Sequence, residues 1–234
     1  MCKPNRRSFI ELNLRGLIGV STCMPLLSDC LGQSTEPQQF SWKEFNKRMQ
    51  YIADQLNNKE MNQDDYLKLA AGLSGRLDIN DSQLKMEYAK YKNKHIDFPE
   101  IRKIHGQQTF QVSLLEFEPN EVIYLHDHPG MTGVANCIEG SIHVINYDLL
   151  PEKSADNELL LKEVSNVQMN PNDVSTLSAT HRNIHWLKAG GDSFARMIDI
   201  FAPPYNQQRG EDSKRFKITG TASHSEKIYK AVSV

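Results

Sequence analysis

The chain has 234 residues, 39% of them hydrophobic and 24% charged, with a formal net charge of -2. That length and balance suit one globular domain with extensions and allow a real core to be buried. The near-neutral charge, without a basic stripe carrying interleaved aromatics, leaves no electrostatic case for nucleic acid as a partner.

The first thirty residues read as an address. In "NRRSFIE", residues 5–11, paired arginines precede a phenylalanine and an aliphatic residue, and a weakly apolar stretch continues over 12–27. This order resembles a twin-arginine signal, which exports proteins already folded around a cofactor. "LLSDC" then resembles a lipoprotein box ending at Cys30, although Asp29 stands where a small residue is usual, and Glu11 and Arg15 also depart from the pattern. The expectation is an exported protein, periplasmic or attached to a membrane through Cys30; the alternative is a cytoplasmic one. Elsewhere no stretch approaches the ~20 apolar residues that span a bilayer. Three of the four cysteines, Cys2, Cys23 and Cys30, fall in this segment. Only Cys137 lies in the body, so no internal disulfide framework supports the fold, and Cys137 reads as a buried thiol.

After a polar linker over 31–40, three helix-like segments fill 41–95. Trp42, Phe45, Met49, Ile52 and Leu56 recur at steps of three and four behind Ser41 as N-cap. A second segment covers about 64–77, and a third, with Leu84, Tyr88 and Tyr91 on one face, begins near Asp81. Such stripes are packing surface, and the region is expected to form a helical cap on the C-terminal part of the chain.

From about Gln108 the period becomes strand-like. Phe110, Val112 and Leu114 alternate with polar positions, and Leu115 and Phe117 then shift phase, which suggests a bulge or bend. Further strand candidates are 122–126, 133–138, 141–147, 159–167, 174–177 and 194–201, separated by turn signals such as "EPNE", "EGS", "LPEKSADNE" and "KAGGD". Many short strands with frequent turns argue for a mainly β fold, an antiparallel sandwich or barrel; the jelly roll is the version that closes a pocket.

Within it, "HDHPGMTGV" spaces His126 and His128 two apart, so in a strand both leave one face and converge on a common ion while Asp127 points away. The pair alone is a weak metal signal. "ATHRNIHWL" supplies His181 and His185; His185, directly before an apolar strand entry, is favoured as the third ligand, and His181 as a surface or supporting residue. His143 fits a packed, hydrogen-bonded histidine better than a ligand. The spacing resembles the cupin motif, with Gly140 as its closing glycine, Asn120 at the opening one, and Thr132 or Gly133 where the glutamate ligand would be. A metal here would hold three histidines and keep about three open positions.

Four blocks in order, "LHDHPGMTG", "EGSIHVINYD", "NIHWL" and "MIDIFAPPYN", resemble the thiol dioxygenases of the cysteamine (2-aminoethanethiol) dioxygenase and plant cysteine oxidase type, over roughly 108–216. The resemblance implies a cupin double-stranded β-helix, non-haem Fe(II) held by His126, His128 and His185, and O2-dependent conversion of a thiol to a sulfinic acid. It also places Asp199 and Tyr205 near the substrate as candidate catalytic residues. Family members often carry a Cys-x-Tyr element after the "PPY" block; here the positions hold Ser213 and Arg215, so a cysteine–tyrosine crosslink cannot form there. The expected architecture is therefore a signal-like segment over 1–30, a linker over 31–40, helices over 41–95, a cupin domain over 96–220 and a tail over 221–234. The expected partners are a small-molecule thiol and O2. The competing reading is a non-catalytic cupin that binds a metal or ligand.

Overall fold

In the computed structural model of the chain, the structure describes residues 38–91, 98–154, 156, 158–204 and 213–234. The signal-like segment with Cys30, most of the linker, and Tyr205 lie outside these residues.

Three helices open the described chain, each started by a side-chain cap. In α1 (Trp42–Asn57), Ser41 accepts the Glu44 N–H at 3.3 Å, and the stripe of Trp42, Phe45, Met49 and Ile52 is buried. In α2 (Gln63–Ser74), Asn62 accepts from Asp65, with Asp64 and Asp65 beside the positive end of the helix dipole. In α3 (Ser82–Tyr88), Asp81 caps both Gln83 and Leu84.

Eleven strands come next among the described residues: β1 (Glu100–Gly106), β2 (Gln111–Phe117), β3 (Val122–His126), β4 (Thr132–Glu139), β5 (Ile142–Lys153), β6 (Leu159–Met169), β7 (Val174–Leu177), β8 (Ile184–Ala189), β9 (Ala195–Ala202), β10 (Phe216–Ser223) and β11 (Ile228–Ser233). They form a five-stranded sheet, β1-β2-β9-β4-β7, and a six-stranded sheet, β10-β11-β6-β5-β8-β3, antiparallel throughout. This is the cupin double-stranded β-helix with helices at its N-terminal side.

The inner strands of the five-stranded sheet, β2, β9 and β4, are buried on both faces. Val112, Leu114, Ile198 and Ile200 pack against the helical stripes, while Leu115, Phe117, Cys137 and Met197 face Ile142, Val144 and Leu187 of the other sheet. Double burial accounts for the phase shift at Leu114 and Leu115. The pairing of β2 with β9 runs unbroken from Gln111–Phe201 to Phe117–Ala195, so no bulge lies there; consecutive apolar residues serve opposite cores. The irregularity sits on β1, between Lys103 and His105.

Three parts of the sheet framework escape the sequence pattern. β1 is an edge strand whose Ile101 stays exposed, so its apolar signal is thin. β5 runs on through Pro151, where the ladder to β6 breaks register between Leu149 and Lys153 and the missing N–H costs no bond. Residues 221–234, read as a tail, instead complete a hairpin of β10 and β11 in which β11 pairs with β6. That hairpin extends the six-stranded sheet beyond β6, and Phe216 and Ala231 join Leu125, Tyr147, Leu161 and Ile184 in a third apolar cluster. The curl brings β10 back to β3, and Arg215 bridges to His126.

One buried charge ties helices to sheet. The Glu116 carboxylate, fully buried, accepts from Arg102 Nη2 at 2.7 Å and Arg196 Nε at 2.8 Å, and the Arg196 guanidinium lies over the rings of Phe194 and Tyr88 at 4.5 and 5.1 Å. Removing one member of a buried network leaves the others uncompensated. Glu116→Ala is therefore expected to cost about 3 kcal/mol of unfolding free energy, read by urea denaturation; a change below about 0.5 kcal/mol would contradict this role.

Candidate metal centre

His126 closes β3 and lies opposite His185 of β8 in the antiparallel register. On β8 the inner face runs His185, Leu187, Ala189, and the latter two are fixed in the barrel core, so the register that buries them also turns His185 inward. His128 is not on the strand. β3 ends at His126, and His128 sits in the turn beyond it, 2% exposed. The convergence expected from strand pleating thus arises partly from a loop. The three rings come together with centroids 4.6 to 4.8 Å apart.

Their ring nitrogens meet at one point. His185 Nε2 stands 3.0 Å from His128 Nε2 and 3.2 Å from His126 Nε2. His126 Nδ1 lies 2.8 Å from the Tyr124 carbonyl, which requires the proton on Nδ1 and leaves Nε2 a bare acceptor aimed at the cluster. Three nitrogens about 2.1 Å from one ion lie about 3.0 Å apart at right angles and about 3.4 Å apart in a tetrahedron. The two spacings from His185 fall in the range for nitrogens that share one ion, and all three ligand atoms lie within 4.8 Å of one another, so these residues fit a divalent metal held by three histidines. Among the described residues, no carboxylate or thiol joins the cluster.

Electrostatics favour neutral imidazoles. Burial holds His126 below the usual histidine range, with Arg215 adding to the effect and the Tyr124 carbonyl and Asp127 opposing it. His128 and His185 are held well below it, first by burial and then by the neighbouring histidines. Neutral histidine is the form that ligates a metal.

Asp127 does point away, and it has its own work. Its Oδ1 accepts the Lys214 N–H at 2.6 Å, its carbonyl accepts from Ser213 Oγ at 2.6 Å, and its N–H donates to the Lys214 carbonyl at 3.0 Å. The acid between the histidines latches the approach to β10 against the metal motif. Sequence spacing gives no hint of this, because the partners are 86 and 87 residues away.

The opposite wall comes from β9. Phe201 stacks on the His128 ring at 4.4 Å and packs with Met131 and Leu177. Gly133 makes room for it, since a Cβ there would stand 2.6 Å from the Phe201 ring. Asp199 shares the inner face of β9, one pleat from Phe201. It is 5% exposed, its Oδ1 has no hydrogen-bond partner, and burial pushes its carboxyl up to about 8 against the opposing Ile200 N–H. Among the described residues, the other histidines stand elsewhere. His181 is exposed and bound to Asp148 at 2.8 Å, His143 pairs with Asn166 at 2.7 Å beside Trp186, and His105 packs near Phe110. Cys137 is a buried thiol pushed up to about 12, which keeps it protonated.

Asp199 makes a pH test with a definite sign. The folded chain holds this proton to about pH 8 while the unfolded chain releases it near 3.8, so the unfolded state binds fewer protons between these values. Folding stability from this group is lost as pH rises through that window. In metal-free, thiol-free protein, Asp199→Asn is expected to gain stability over the unsubstituted chain progressively from pH 4 to pH 8, read by urea denaturation; a gap independent of pH would contradict the buried acid.

Comparison with known proteins adds a family. The PCO_ADO family model matches residues 53–233. Plant cysteine oxidase 2 of Arabidopsis thaliana is 30% identical over 111 residues, 46% of this chain and 40% of that protein. A probable 2-aminoethanethiol dioxygenase of Dictyostelium discoideum is 26% identical over 102 residues, 42% of this chain and 46% of that protein. The matched stretches thus span less than half the length of these curated relatives. Among solved structures, a Klebsiella pneumoniae protein with a double-stranded β-helix domain is 13% identical with a TM-score of 0.38, covering 55% of this chain and 90% of its own. With the match of the family model running from α1 to β11, the chain belongs to the PCO_ADO family.

Proposed function

We propose that the chain is a non-haem Fe(II) thiol dioxygenase that converts a small aminothiol, in preference to an N-terminal cysteine peptide, to its sulfinate. The carrying observation is the set of three inward histidine nitrogens, within 4.8 Å of one another and with no carboxylate joining them among the described residues. Membership of a family with relatives named as cysteine oxidase and 2-aminoethanethiol dioxygenase supports the same chemistry.

The overall change is balanced without another reactant: R–SH and O2 give R–SO2H, with both oxygen atoms ending on sulfur. His126, His128 and His185 would hold the Fe(II), and an ion held by neutral ligands alone keeps its full charge, lowers the pKa of a nearby thiol and supplies the redox chemistry for O2. The protein's part is placement and exclusion. The Tyr124 carbonyl fixes the His126 tautomer, and Phe201, Met131 and Leu177 form a dry wall beside His128. Asp199, buried and orphaned at Oδ1, is suited to a substrate ammonium group: a cation placed there would draw the carboxyl to its charged form and replace the missing partner. The amine end and sulfur end of an aminothiol would then be held by opposite sheets, which restricts their approach. Tyr205 remains a candidate for the substrate side, outside the described residues.

The test is anaerobic Fe(II) loading and then a thiol panel, with O2 uptake and product mass recorded. Cysteamine-like aminothiols are expected to consume O2 and gain two oxygen atoms, and Asp199→Ala is expected to raise KM for them more than for a thiol lacking the amine. An iron-loaded chain that consumes no O2 with any thiol would be a binding cupin instead.

A further inference from the structure

His128 has a placement problem that the strands do not solve. It lies beyond the last residue of β3, at the start of a turn, outside the strand pairing that sets His126 against His185. A ligand set is only as well formed as the groups that hold it.

Beside the Met131 N–H, which donates to the His128 carbonyl at 3.2 Å within the turn, one side chain from across the site takes up this task. Asn183 Oδ1 accepts the His128 N–H at 3.1 Å, and Asn183 Nδ2 donates to the His128 carbonyl at 2.9 Å. The same Nδ2 donates to the Ser178 carbonyl at 2.8 Å, closing the 178–183 loop that leads into β8. Asn183 is two residues before His185, directly ahead of the first residue of β8. It therefore grips the backbone of one ligand from the strand entry that carries another. The loop is separately held by Asp148, whose carboxylate takes the Arg182 N–H at 2.5 Å and His181 Nδ1 at 2.8 Å.

We infer that Asn183 is the positioning residue of the metal centre, holding the His128 backbone so that its Nε2 meets that of His185 at metal-binding distance. The inference rests on the reading of the three histidines as a metal centre. Side chains that orient ligands typically contribute 10- to 100-fold in metal affinity. An asparagine suits the position because it offers both an acceptor for the N–H and two donor hydrogens for the carbonyls. No aliphatic residue, and no shorter hydroxyl, supplies that set across two loops.

The experiment measures Co(II) affinity by equilibrium dialysis, the Co(II) absorption spectrum and the metal-free melting temperature in the full chain, in Asn183→Ala and in Asp148→Ala. Asn183→Ala is expected to bind Co(II) 10- to 100-fold more weakly with an altered spectrum. Asp148→Ala, which loosens the same loop, is expected to melt earlier yet keep the affinity and spectrum of the unsubstituted chain. If Asn183→Ala does not fold, Asn183→Ser replaces it, with weaker binding again expected. A folded Asn183 variant with unchanged affinity and spectrum would overturn the inference, as would an equal loss in Asp148→Ala. An unsubstituted chain that binds no Co(II) would instead overturn the metal centre itself.

Discussion

The pairing of β3 with β8, in the register that sets His126 against His185, is the constraint on which the site depends. A slip of one residue would turn every side chain of β8 to the other face, taking His185 out of the barrel and Leu187 and Ala189 out of the core. Hydrophobic packing deep in the barrel thus sets the spacing of two ring nitrogens at its end. The open end of β3 is then held by the Asp127 N–H and carboxylate, which bond the Lys214 carbonyl and N–H, and by the Arg215 bridge, so the curl of the six-stranded sheet and the shape of the metal motif are fixed together.

The facing wall is rigid for a different reason. β9 is buried on both sides: Ile198 and Ile200 lie under the helices, and Asp199 and Phe201 face the site. The helices are the outer layer of the wall that carries the candidate substrate acid. The Asn136 side chain donates to the Ser74 carbonyl at 2.7 Å, and Arg196 lies over Tyr88, so helix termini and sheet are joined by polar contacts as well as packing. A buried carboxyl with one unpartnered oxygen on such a wall opposes folding, which is the physical ground for proposing Asp199 as a ligand-binding group.

Much of this was legible in the residues. Helical stripes and their caps read directly, because Ser41, Asn62 and Asp81 act locally. The strands 122–126 and 174–177 fall where alternation and turn residues place them. The three histidines were legible through spacing and resemblance, and the structure brings them to one point. What stayed hidden depends on distant partners. A strand buried on both faces looks like a broken alternation at Leu114 and Leu115. β1 and β10 carry few inward apolar residues, and β11 is recognisable only through its pairing with β6. Asn183 and Asp127 carry no pattern at all, since one bonds residues 55 positions away and the other 86 and 87.

The central claim is that three neutral histidines, and no acid, hold one metal ion. Metal content by mass spectrometry tests it most directly, after Fe(II) loading of the full chain, the three single histidine-to-alanine variants, Asp127→Ala and Asp199→Ala. One ion per chain in the unsubstituted protein and both acid variants, with loss in each histidine variant, is the expected result. Full occupancy without His126, His128 or His185, or loss of the ion with Asp199→Ala, would contradict it.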